Sequence, residues 1–108
     1  MLSPEDIKKI EMEKYIAKID ESIIHNHGRE PEYEYACIPC RSNEEIHKEI
    51  AMMYLDAGWT FVYYRYDNTV GHISFRFSTT AIDKNKHGRG GWISITKNDG
   101  QYVFNKEE

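Results

Sequence analysis

The chain is predicted to be an α+β domain, with two helices packed on one face of a small, mainly antiparallel sheet in the order α-β-α-β-β-β-β. Three observations carry this. Two segments place apolar residues at helical spacing behind capping signals, the C-terminal half is dense in β-branched and aromatic residues, and Gly, Asn and Asp divide that half into strands. At 108 residues, one core and one domain, 1–108, is the expectation. Neither an internal repeat nor an interdomain linker is visible.

The first helix opens with Ser3 as N-cap, Pro4 in the first helical position and Asp6 where a capping-box carboxylate belongs. It should run from about Pro4 to His25, with Gly28 free to turn left-handed just beyond. Met12, Ile16, Ile19 and Ile23 form one buried stripe. Ile7, Ile10 and Ile24 fall well off that stripe. A helix with apolar residues on two sides sits deep in a fold or meets another chain, so these three are the interface candidates and a homodimer is one expectation.

Tyr33 to Ile38 reads as a short strand stopped by Pro39. A second helix follows, capped by the Ser42/Glu45 box, with Ile46, Ile50, Met53, Tyr54 and Ala57 as its apolar face and Gly58 at its end. Trp59–Tyr66 and Gly71–Ser78 read as strands joined through "DNTV". The polar stretch "TTAIDKNKHGRG" precedes strands Gly91–Thr96 and Gln101–Phe104, which turn through "KNDG". These four strands are expected to run as a meander. In it, Ile73, Phe75 and Phe77 share a face with Ile93 and Ile95, and His72, Ser74 and Arg76 share the other with Trp92, Ser94 and Thr96.

The formal net charge of −4 is unevenly spread. Residues 1–56 carry 7 Lys/Arg against 13 Asp/Glu, or −6, and residues 57–108 carry 7 against 5, or +2. An acidic helical half can be steered toward a basic partner surface, although solvated helix faces rich in Glu look the same. No apolar run approaches the ~20 residues of a membrane span, and the first residues lack the apolar segment of a secretory signal. A soluble, cytoplasmic protein without membrane contact is the expectation, with its two cysteines reduced.

Four chemistries deserve weighing. Cys37-Ile-Pro-Cys40 has the C-x-x-C spacing of a zinc half-site, and His25 and His27 would complete a Cys2His2 set. Against zinc, a proline intervenes, the glycine that usually opens a zinc knuckle is missing, and both histidines lie at a helix end. The redox alternative needs the motif at a helix start within a βαβ unit, which is not found. Two ordinary cysteines are the simpler reading, so no cofactor is expected and zinc is the weak alternative. The loop "KNKHGRGG" offers Lys84, Lys86, His87 and Arg89 among glycines, beside His72, Ser74, Arg76 and Trp92 on the sheet. Such a surface could hold a nucleotide or single-stranded nucleic acid by charge and stacking. It is no P-loop, since no Gly-Lys-Ser/Thr closes it. Acid–base catalysis needs two converging titratable groups, and His72-Ile-Ser74 is only half of an H-x-S/T pair, so no catalytic residue is assigned.

The leading expectation is therefore a small non-enzymatic binding protein, an inhibitor or accessory factor acting through protein–protein contact. Its size and richness in Ile, Lys, Asn and Tyr would suit a phage-encoded accessory protein. The alternatives are the nucleotide or nucleic-acid binder and the zinc-stabilised domain.

Overall fold

The computed structural model describes residues 1–82 and 91–106, and its elements follow the predicted order. Helix α1 (Pro4–Asn26) starts at the predicted capping box: Asp6 N–H donates to Ser3 Oγ and Ser3 N–H to the Asp6 carboxylate, both at 3.1 Å. Met12 and Ile19 are buried and Ile16 and Ile23 pack partly against the core. Past the helix end, Gly28 is left-handed, at φ +85°.

Strand β1 (Glu34–Pro39) is followed by helix α2 (Glu44–Asp56). The cap of α2 is Asn43, whose side chain accepts from Ile46 N–H at 3.1 Å, and not Ser42. Both residues are cap formers, and the helix starts one residue later than predicted. The buried face also differs from the predicted one. Ile46, Ile50 and Tyr54 are joined by His47, Ala51 and Leu55, while Met53 and Ala57 are exposed. The buried arc thus extends to the side of α2 on which the polar His47 stands.

Among the described residues four further strands join the sheet: β2 (Phe61–Asp67), β3 (His72–Ser78), β4 (Ile93–Asn98) and β5 (Gln101–Lys106). All pairings are antiparallel, in the order β1-β3-β2-β4-β5. This is not the expected meander. After the β2–β3 hairpin the chain returns to the far side of β2, so β4 pairs with β2, and β3 pairs with β1. The β4–β5 hairpin turns on Asp99 and Gly100, at φ +52° and +79°, the two positive values that a type I′ turn requires.

Alternation then sorts the sheet into two faces. Ala36, Ile38, Val62, Tyr64, Ile73, Phe75, Phe77 and Ile95 point to the helices and form the main core with them. Phe77 lies against Tyr54, Trp59 and Phe75, with ring centroids 4.6–5.8 Å apart. Tyr54 also reaches α1, donating to Asp20 Oδ1 at 2.6 Å. Asp56 ties the end of α2 to the sheet by accepting from Lys97 Nζ and the Tyr102 hydroxyl. No helix among the described residues is long and apolar enough to cross a membrane.

Helix α1 also closes one sheet edge. An edge strand presents unpaired N–H and C=O groups that invite another chain. Ser22 and Asn26, one turn apart, meet those of β1: Cys37 N–H donates to Ser22 Oγ at 3.2 Å, and Asn26 Nδ2 donates to the Tyr35 carbonyl at 3.3 Å.

Candidate functional site

With one flank of α1 committed to the core and another to the β1 edge, its remaining side faces outward. That side carries Ile7, Ile10 and Ile24, which are 56%, 40% and 77% exposed. Such residues cost an isolated chain hydration free energy without contributing to its core. A shallow groove beside them is lined by Ile7, Ile10, Glu11, Lys14, Tyr15, Lys18 and Arg41. A second groove shares Lys18 and continues past Glu21, Ile24 and His25 to Cys37, Ile38 and Pro39. Together they run along α1 as a strip of exposed isoleucines with a rim of both charges, Lys14, Lys18 and Arg41 beside Glu11 and Glu21.

The first groove has a fixed floor. Arg41 grips Glu11 with two hydrogen bonds, Nε to Oε2 at 2.6 Å and an Nη to Oε1 at 2.9 Å. The Tyr15 hydroxyl donates to the same carboxylate at 3.0 Å. These contacts hold Glu11 below its ordinary pKa, chiefly through the Arg41 hydrogen bonds. Burial is the main reason the Tyr15 phenol is pushed up to about 12.

The second candidate surface is the sheet face turned away from the helices. The register places His72, Ser74 and Arg76 there, but β2 separates them from Trp92 and Ser94, so Tyr63 and Arg65 intervene. Trp92 is only 1% exposed and forms a small core of its own with Tyr63 and Ile82, bordered by Tyr33 and Phe61. Two guanidiniums cover its ring, Arg76 at 4.2 Å and Arg65 at 4.8 Å from the centroid, and Arg76 also lies 4.8 Å from the ring of Tyr33. Trp92, expected as part of an open surface, is instead packed under cations, and Ser94 is buried as well. Lys84, Lys86, His87 and Arg89, the remaining candidates of this site, lie outside the described residues.

The cysteine–histidine set is dispersed. Cys37 points to the sheet face away from the helices, where its sulfur accepts from Ser74 Oγ at 3.6 Å. Cys40 is buried, and that burial raises its thiol pKa. His27 is engaged through Nδ1 with Glu34 at 2.7 Å, and His25 borders the groove beside Ile24. Among the described residues no three His, Cys, Asp or Glu side chains are grouped to hold one ion. Both thiols are free.

His47 is a residue that the sequence reading passed over. It is 1% exposed, stacks on Tyr66 with centroids 4.9 Å apart, and binds the Arg41 carbonyl through Nε2 at 3.1 Å. That bond makes Nε2 the protonated nitrogen, leaving Nδ1 bare and 3.9 Å from Glu44. Burial lowers its pKa. Its signal was its place one position after Ile46, on the row shared with Ala51 and Leu55. Compared with known protein families, curated proteins and solved structures, the chain matches none.

Proposed function

We propose that this protein is a small non-enzymatic binding module, an inhibitor or accessory factor that acts through protein–protein contact along the outward side of α1. The observation that carries the reading is the exposure of three large β-branched side chains on a helix whose other stripe already fills the core. Monomeric domains keep contiguous apolar surface small, and larger exposed strips mark contact sites. Lys14 and Lys18 stand beside Glu21, while Arg41 is already held by Glu11, so the rim suits a partner that carries both charges around an apolar centre. The nucleotide or nucleic-acid reading has less support. Its stacking ring is covered by two guanidiniums, whereas the isoleucines of α1 meet solvent.

The test is affinity purification from source cells with wild-type protein and with Ile7→Glu/Ile24→Glu, each identified by mass spectrometry. Proteins retained by the wild type and lost from the folded variant are the expected result. An identical set from both would remove α1 from consideration.

A further inference from the structure

We infer that one partner of the α1 strip is a second copy of this chain, with two α1 helices pairing antiparallel about a two-fold axis. This rests on the protein-contact reading of α1 and adds the occupant, the orientation and the charges that set it. Ile7, Ile10, Lys14, Ala17, Glu21 and Ile24 recur at alternating spacings of three and four, the repeat of a two-helix seam. All six are exposed.

A two-fold contact must be complementary to itself. Placing Ile7 against Ile24 of the second copy sets Ile10 against Glu21 and Lys14 against Ala17, one helical turn from the second copy's Glu21. Both ends of the seam are then isoleucine on isoleucine, and two symmetry-related Lys14–Glu21 pairs lie near its centre. A parallel pairing would stack Lys14 on Lys14 and Glu21 on Glu21. The charge order therefore selects the antiparallel arrangement. On the flanks, Glu11 approaches Lys18 and Glu13 approaches Asp20, one favourable and one unfavourable contact, so the central pairs decide. Neither Lys14 nor Glu21 has an ion-pair partner among the described residues. The strip is narrow compared with the roughly 800 Å² per partner of a standard interface. The dimer accordingly forms and dissociates with concentration.

Sedimentation equilibrium of untagged protein over a wide concentration range tests this with four samples: wild type, Lys14→Glu, Glu21→Lys, and an equimolar mixture of the two variants. A reversible wild-type dimer is expected. Each single variant should weaken it about tenfold or more, because two contacts turn repulsive together. The mixture should recover a dimer containing one copy of each, since every 14–21 contact is then between opposite charges. Unchanged melting curves at concentrations where every sample is monomeric confirm that these exposed substitutions leave the fold intact. A wild type that is monomeric throughout overturns the inference, as does a dimer indifferent to Lys14→Glu. If the wild type is monomeric but Ile7→Glu/Ile24→Glu still loses a captured protein, the binding function stands and self-pairing falls.

Discussion

Removing the two α1 side chains that close the β1 edge should destabilise the protein by an amount set by two backbone groups. In Ser22→Ala the Cys37 N–H loses an acceptor 3.2 Å away, and in Asn26→Ala the Tyr35 carbonyl loses a donor at 3.3 Å. A fully buried orphan group costs about 1–3 kcal/mol. These groups are only partly buried, so water recovers some of that loss and about 1 kcal/mol each is expected. Asn26 Nδ2 also donates to Ser22 Oγ at 3.3 Å. The double variant should therefore fall short of the sum by about 0.5 kcal/mol. For a chain of this size each single change should lower the melting temperature by about 4 °C. Urea unfolding measures the totals, and amide exchange locates them. The Cys37 amide should exchange about fivefold faster in Ser22→Ala, the factor that corresponds to about 1 kcal/mol. The neighbouring Ala36 and Ile38 amides, which alternation turns toward β3, should be unaffected. An unprotected Cys37 amide in the wild type, or a Ser22→Ala variant as stable as the wild type, would refute the claim that α1 holds this edge.

Four further outcomes follow. Ile24→Glu should leave stability within about 0.5 kcal/mol, as surface changes do, while abolishing partner retention; a large fall in the urea midpoint would place Ile24 in the core. Phe77→Ala should cost about 3–5 kcal/mol, since its ring joins Tyr54, Trp59 and Phe75, and a mild loss on thermal unfolding would contradict that packing. The lowered pKa of His47 means that the unfolded chain binds its proton more readily, so its contribution to stability is complete above about pH 6.5 and is lost as pH falls through the folded value; the urea midpoint should decline with acidification from there, and less steeply in His47→Phe. With Trp59→Phe leaving Trp92 as the lone reporter, iodide should quench poorly until Arg76→Ala uncovers the ring; efficient quenching in the parent would show the sheet face to be open.

Much of the fold was legible because the determining signals are local. The Ser3-Pro4-Asp6 start of α1, the two-residue alternation of β3 and the Asp99-Gly100 turn each specify their geometry within a few residues. Strand order was not legible. Alternation tells which face a residue occupies but not which strand lies beside it, and the placement of β2 between β3 and β4 depends on how the connection after Ser78 is routed. Nor does alternation report that Trp92 is buried with Tyr63 and Ile82. In α2, Ser42 and Asn43 are both competent caps, and His47 concealed half of the buried arc by being polar. C-x-x-C spacing suggested two sulfurs on one ion, yet Cys37 sits within β1 facing away from the helices, while Cys40, past Pro39, is buried. The isoleucines of α1 were readable as off-stripe; the structure adds that Ile7, Ile10 and Ile24 meet solvent on one continuous side.

The central claim, that the outward side of α1 is the contact surface, is tested most directly by photo-crosslinking in cells. A photoreactive side chain is placed in turn at Ile10, Ile24, His72 and Arg65. Crosslinked products from positions 10 and 24, with none from 65 and 72, are the predicted result. Products from the two sheet positions and none from the helix would contradict the account.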